Sequence, residues 1–310
     1  MPLQSATALI AIDWGTTSAR AYRVSGDGEV IGTRESPLGI QHVRDGAFAS
    51  ALRTLQGDWI DLAAPRVASG MIGSRQGWVE APYVECPAGP DALARSLTRA
   101  PDGSLAIVAG VLCRDANGIP DVMRGEETEI AGALADHAGE TLALLPGTHS
   151  KWAVVRDGRI LRFATFMTGE VYAVLRQHSI LGRMIPADDS ASDGEAFRRG
   201  IAAARIPGPS GALLHRLFGA RTRALAGELA VGSVADYLSG LLIGSEIVAG
   251  LDWARQTGLE ADRATLIGAA ALCARYAVAL ADAGLGVAVA PPAAAARGLW
   301  AIATQAGLLR

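Results

Sequence analysis

Two stretches of this chain carry the same pattern, and that repetition limits the fold more than any other feature. Residues 9–26, LIAIDWGTTSARAYRVSG, lie without a gap over residues 141–158, TLALLPGTHSKWAVVRDG. Gly15 meets Gly147, Thr16 meets Thr148, Ser18 meets Ser150 and Gly26 meets Gly158. Each copy is an apolar run, a Gly-Thr-x-Ser turn, a second apolar run and a glycine turn, which is the pattern of a β-hairpin. A hairpin repeated near the start of each half predicts two similar domains. The turns suit phosphate, because glycine lets the backbone approach a ligand closely and turn N–H groups bind anions. Taken alone, either copy also reads as a plain hairpin with a polar tip.

The copies differ where chemistry would differ. Asp13 stands before the first turn, where a carboxylate suits Mg²⁺, directly or through water. The second copy has Leu145 there and Lys151 after its turn. Of the 28 Lys and Arg residues, Lys151 is the only lysine. An ammonium is a compact point charge where a guanidinium is a planar fork, so its place beside a phosphate turn points to phosphate contact. A surface charge beside Trp152 is the alternative.

Between and after the repeats, strand and helix patterns alternate, which predicts α/β architecture. Strands are expected at 28–34, 66–71, 104–111, 159–167, 263–268 and 286–290. Helices are expected at 45–58, 90–98, 125–137, 168–182, 269–282 and 293–307, with a mostly helical region over 187–257. No low-complexity linker separates the halves, so the boundary near 138–140 reads as a hinge. The expected domains are 1–138, with the first turn, a substrate loop and a catalytic carboxylate, and 139–310, the nucleotide-binding half.

Three further stretches carry candidate chemistry. In MRGEETEIAGAL, Glu126 and Glu127 open a helix, which is either dipole complementarity or a base for a substrate hydroxyl. SGMIGSRQGW ends a strand and continues into Arg75, Gln76 and Trp78; guanidinium, amide and indole suit a hydroxylated acid. An exposed loop with a packed Trp is the plainer reading. In LIGAAALCARY, Gly268 and Ala269 at a helix start would admit a flat base, or simply allow close helix packing. Among the histidines only His149, in the second turn, invites suspicion.

Half of the chain is apolar and 19% is charged, with a formal net charge of −3, so the composition is globular and argues against nucleic acid as a partner. Cys86, Cys113 and Cys273 show no metal-type spacing and read as reduced thiols. The N-terminus lacks a basic leader pattern, and the apolar tracts near 233–254 and after Leu266 are broken by charges, so no membrane span is expected. The expected location is cytoplasmic. Oligomeric state is not legible.

DWGTTSAR, SGMIGSRQGW, RGEETEIAGAL, LPGTHSKW, TGEVYAVLRQHSIL and SDGEAFRRG together resemble the 2-dehydro-3-deoxygalactonokinase family of the actin-like, sugar-kinase and heat-shock-protein ATPase superfamily. The resemblance runs from residue 9 to about 275. It implies two ribonuclease-H-like domains with an active site in the interdomain cleft, using ATP and Mg²⁺ to phosphorylate the C6 hydroxyl of 2-dehydro-3-deoxy-D-galactonate in galactonate catabolism. In more distant sugar kinases the first turn resembles Asp13–Thr17, and a Gly-Asp-Gln catalytic segment resembles Gly125-Glu126-Glu127. Here the base would be Glu126, with Glu127 as the competing choice. The implied roles are Mg²⁺ at Asp13; nucleotide at Gly15, Thr16, Thr17, Gly147, Thr148, Gly268 and Ala269; phosphoryl stabilisation by Lys151; and the sugar acid at Arg75, Gln76, Trp78 and Arg20. Two other readings stay open: a kinase of another keto-deoxy or aldonic acid, and a non-catalytic ATP-binding switch.

Overall fold

A computed structural model describes residues 6–186, 192–208 and 212–309. Contacts divide the chain into two compact units. Unit 1 comprises Met1–Glu140, Ala153–Phe163 and Ala290–Arg310; unit 2 comprises Thr141–Trp152 and Ala164–Val289. The expected ranges 1–138 and 139–310 differ from these units at residues 139–140 and at two longer segments. Residues 153–163, which carry the glycine turn at Gly158, and the last helix both group with unit 1.

Unit 1 opens with β1 (Thr7–Trp14), β2 (Ala19–Ser25) and β3 (Val30–Ser36), then α1 (Phe48–Gln56) and β4 (Arg66–Gly70). Next come β5 (Tyr83–Glu85), α2 (Pro90–Arg95), β6 (Thr98–Arg99), β7 (Ala106–Ile107), β8 (Gly110–Arg114), β9 (Pro120–Met123) and α3 (Glu126–Ala133). The main sheet has the order β3-β2-β1-β4-β7-β6, with β1 antiparallel to β2 and parallel to β4. Strand β1 is central, so LIAI is buried on both faces and reads as a continuous apolar run. Strand β3 lies at the edge and alternates between half-buried and exposed residues. Trp14, Phe48, Leu52, Ile72 and Ile107 belong to one core between sheet and α1.

The single strand expected at 104–111 is two, because the chain leaves the main sheet after Ile107 and joins a second sheet, β5-β8-β9. Val108 and Ala109 between them are buried, so the apolar run gave no sign of the break.

The second half supplies β10 (Glu140–Leu145), β11 (Ser150–Arg156), β12 (Arg159–Phe166), α4 (Thr168–His178), α5 (Gly194–Arg205), α6 (Ala212–Leu225), α7 (Val234–Gln256), β13 (Arg263–Leu266), α8 (Ala270–Asp282), β14 (Gly286–Val289) and α9 (Ala294–Gln305). Its sheet runs β12-β11-β10-β13-β14, with β13 parallel to β10 and β14 parallel to β13. Numbered within the second half this is the order 3-2-1-4-5, and the unit-1 sheet matches it position by position as β3-β2-β1-β4-β7, with β6 added at the edge. The duplication seen in the hairpins therefore extends through both five-strand frameworks. Within the region 187–257, expected to be mostly helical, residues 187–191 and 209–211 lie outside the described residues, and α5, α6 and α7 account for most of the rest.

Helix α7 is apolar on every side and, by length and composition, is long enough to cross a membrane; 72% of its segment is buried, as for a core helix. Helix α5, in the SDGEAFRRG motif, is capped by Asp193, whose Oδ1 accepts from the N–H groups of Glu195 and Ala196 at 3.0 and 2.9 Å.

Candidate active site

In unit 1 Asp13 is the penultimate residue of β1, and its register partners are Arg20 on β2 and Ser69 on β4. Helix α3 begins beyond Gly125, whose φ of +113° suits glycine and which lies against Gly70. That close approach sets Glu126 and Glu129, one turn apart, near Asp13. Burial and the Glu126 charge push the Asp13 carboxyl upward, partly offset by the Arg20 guanidinium. Glu129 is pushed up to about 8 by burial, then by Asp13 and Glu126. The sequence reading missed Glu129; its i+3 spacing from Glu126 was the available signal.

Glu126 and Glu127, neighbours in sequence, are placed differently. Glu127 is 1% exposed, accepts from the Gly125 N–H at 2.7 Å and from Thr128 Oγ1 at 3.0 Å, and is pushed up to about 8 chiefly by burial. Glu126 is half-buried and accepts from the Arg124 N–H through Oε2 at 3.0 Å. Glu127 is held inside the protein, and Glu126 is only half-buried.

The first turn, Gly15–Ser18, closes with the Gly15 N–H donating to the Ser18 carbonyl at 2.9 Å. The carbonyls of Gly15 and Thr16 accept from the N–H groups of Ile40 and Gln41 at 3.1 Å, and His42 Nδ1 lies 3.1 Å from the Thr17 carbonyl. Gly39 packs on this turn so tightly that a Cβ there would overlap the Thr17–Ser18 peptide. The second turn has the same backing: a Cβ on Gly169 would overlap the Gly147 carbonyl and Thr148 Cα. Gly39 follows the end of β3 by three residues, and Gly169 follows the end of β12 by three. The Thr148 carbonyl accepts from the Glu170 N–H at 3.0 Å, and His149 pairs through Nε2 with the Glu170 carboxylate.

Four of the expected nucleotide residues, Gly147, Thr148, Gly268 and Ala269, belong to unit 2. An ideal Cβ on Gly268 would sit 3.6 Å from the Pro146 carbonyl, placing Gly268 beside the second turn; Ala269 follows as the N-cap residue of α8. A pocket of about 220 Å³ starts at Gly147 and Gly169 and continues between Tyr172, Leu242, Leu272 and Arg275. Gly268 and Ala269 do not line that pocket. Lys151 is only 5% exposed and donates through Nζ to Thr165 Oγ1 at 2.8 Å, so it is not a surface charge. Its neighbour Trp152 points the other way, donating to Glu246 Oε1 at 2.8 Å. Tyr276 donates to Glu246 Oε2 at 2.6 Å and meets Ser150 Oγ at 2.9 Å. Burial pushes Glu246 upward, and these donors lower it again. This network ties the second turn to α7 and α8.

The loop after β4 separates its predicted residues. Trp78 stacks on Phe48, with centroids 6.2 Å apart, and packs on the unit-1 core. Gln76 is exposed, and Arg75 is 82% exposed with a 3.3 Å contact to Glu80. Arg20 donates to Glu35 at 2.6 Å, and both line a shallow pocket of about 240 Å³ at the edge of the first turn. Among the described residues, no group of three or more His, Cys, Asp or Glu side chains forms a ready metal shell.

A doubled 3-2-1-4-5 framework with a backed turn in each copy defines the actin-like ATPase and sugar-kinase class of folds. An activator of 2-hydroxyisocaproyl-CoA dehydratase from Clostridium difficile, solved with ADPNP, shares this fold at a TM-score of 0.51 and 10% identity, over 96% of this chain and 95% of that one. Within the class, the chain matches the 2-keto-3-deoxy-galactonokinase family over residues 13–302 and belongs to that family. It is 37% identical to the 2-dehydro-3-deoxygalactonokinase of Escherichia coli (strain K12), across 86% of this chain and 87% of that protein. A Sinorhizobium meliloti crystal structure assigned to the same kinase superposes with a TM-score of 0.85 and 35% identity, over 95% and 98% of the two chains.

Proposed function

We propose that this chain is an ATP-dependent kinase that phosphorylates the C6 hydroxyl of 2-dehydro-3-deoxy-D-galactonate, giving 2-dehydro-3-deoxy-6-phosphogalactonate. The observation that carries the chemistry is the half-buried Glu126 carboxylate beside the half-buried Asp13, whose carboxyl is pushed upward. Glu126 takes the proton of the hydroxyl as the O6–P bond forms and the bond from phosphorus to the leaving oxygen of ADP breaks. The turn at Gly15, Thr16 and Thr17, the turn at Gly147 and Thr148, and Lys151 stabilise the transferring group, the kind of positioning that dominates phosphoryl transfer. The unit-2 pocket beside Gly147 takes the nucleotide, with Gly268 and Ala269 at its approach.

Magnesium fits the Asp13 site. Negative charge accumulates there, and Ser69 Oγ, on the register partner of Asp13, is buried without a hydrogen-bond partner. When bound, the cation would neutralise charge on the phosphates, and Asp13 would hold it directly or through water. Arg75, Gln76 and Arg20 are the groups for the sugar acid, with Trp78 as the loop's anchor. Burial of α7 in unit 2 supports a core helix rather than a membrane span, as expected of a soluble enzyme.

The test is ATP consumption coupled to ADP detection across a panel of epimeric keto-deoxy and aldonic acids. The expected result is turnover that depends on the sugar acid, with the highest kcat/KM for 2-dehydro-3-deoxy-D-galactonate. Preference for an epimer would change the substrate. Nucleotide binding without acceptor-dependent turnover would favour a switch protein instead.

A further inference from the structure

We propose that Arg124 is a positioning residue: it ties the loop of residues 73–81 to the start of α3 and thereby sets where Glu126 meets the acceptor hydroxyl. The inference rests on the kinase reading above. Arg124 holds both partners at once. Its backbone N–H donates to Glu126 Oε2 at 3.0 Å. Its side chain turns back to the loop, where Nη2 donates to the Ala81 carbonyl at 2.8 Å and the guanidinium lies 4.4 Å over the Tyr83 ring. At the loop's other end, Nη1 is 3.0 Å from where a Cβ on Gly73 would stand, so glycine leaves the path for the guanidinium.

The cost of this arrangement argues for a role beyond packing. Arg124 Nε and Nη1 are buried without hydrogen-bond partners, and among the described residues the guanidinium makes no ion pair. Buried guanidinium donors without partners destabilise a fold, and an apolar side chain of similar length would pack there without that penalty. What an apolar side chain does not supply is a flat, rigid fork that bonds one loop end while stacking on the ring next to it. The loop carries Arg75 and Gln76, and the helix carries Glu126. The residue between them therefore controls the distance from acceptor-binding groups to base, where small displacements cost large factors in rate.

The test uses the full chain with ATP and 2-dehydro-3-deoxy-D-galactonate. Arg124→Met keeps the stem and loses the fork; Arg124→Lys keeps the charge. For Arg124→Met we expect acceptor KM at least 10-fold higher and kcat at least 10-fold lower. KM for ATP should stay within two-fold and Tm within a few degrees, with Arg124→Lys intermediate. Acceptor kcat/KM within two-fold of wild type overturns the proposal. So does a parallel loss of ATP affinity, acceptor affinity and Tm, the mark of a merely structural residue. Should Arg124→Met fail to fold, Tyr83→Leu decides, because it removes only the ring beneath the guanidinium. A several-fold loss of acceptor kcat/KM with unchanged ATP KM supports the assignment, and an unchanged value overturns it. A wild-type chain without acceptor-dependent turnover instead defeats the kinase reading on which the assignment rests.

Discussion

Glu126 and Glu127 differ by one position along α3, and that turn of about 100° separates a half-buried carboxylate from a fully buried one. Glu127 points inward, where two donors hold it and burial lifts its carboxyl to about 8. Glu126 keeps an accessible face. Replacing it by Gln should therefore lower kcat by about 10²–10⁴ with nucleotide affinity nearly unchanged, the scale for loss of a general base. Glu127→Gln should leave a much larger fraction of kcat and alter pH dependence instead. The folded state raises this carboxyl from 4.5 to about 8, so it holds a proton that the unfolded chain has lost. The contribution to stability is complete below pH 4.5 and declines as pH rises towards 8. Removing the titrating group should flatten that decline, while Glu129 maintains part of it. Tm measured from pH 5 to 8.5 without Mg²⁺ checks this, and superimposable curves for wild type and Glu127→Gln would defeat it.

At the scale of elements, the duplicated unit is larger than the hairpin that betrayed it. In both halves a third strand follows, and three residues later a glycine returns to press on the turn. The turns are thus held from behind by backbone, which leaves no room for a side chain. Gly169→Ala should raise KM for ATP and weaken ADP binding, because Gly147 and Thr148 must shift to admit the methyl group. Gly39→Ala should lower kcat by distorting Gly15–Ser18. Each should cost about 1–3 kcal/mol of stability, as overpacking generally does. ADP titration by calorimetry together with steady-state kinetics would separate the two. Wild-type ADP affinity in Gly169→Ala would show that the second turn does not need this backing.

At the scale of the whole molecule, the chain's last helix completes its first unit. Helix α9 packs on α3 and β1, and its contact with α3 is backbone against backbone: a Cβ on Gly298 would overlap the Thr128 carbonyl, and one on Gly132 the Ala294 carbonyl. The helix that carries Glu126 and Glu127 is therefore seated by residues more than 160 positions away in sequence. Ending the chain after Val289 should abolish kinase activity and expose the apolar side of the unit-1 sheet. Gly298→Val should do the same in milder form by pushing α3 off its seat. Thermal unfolding followed with and without ADP is the measurement. A truncated chain with normal kcat would show that α9 is dispensable for placing α3.

The amino-acid sequence by itself determined the α/β alternation, the two Gly-Thr-x-Ser hairpins, the carboxylates at a helix start and the family. All of these are written within windows of about ten to twenty residues, where apolar periodicity and turn chemistry act locally. Only the tertiary structure decided which of Glu126 and Glu127 is fully buried, that Lys151 is buried against Thr165, and that Trp78 packs on the core. It alone placed α9 in unit 1 and split residues 104–111 between two sheets. Each of these depends on a partner distant in the chain, such as Ala294 for Gly132 or Ala81 for Arg124. No local pattern records such a partner, because close packing selects it only when the elements meet.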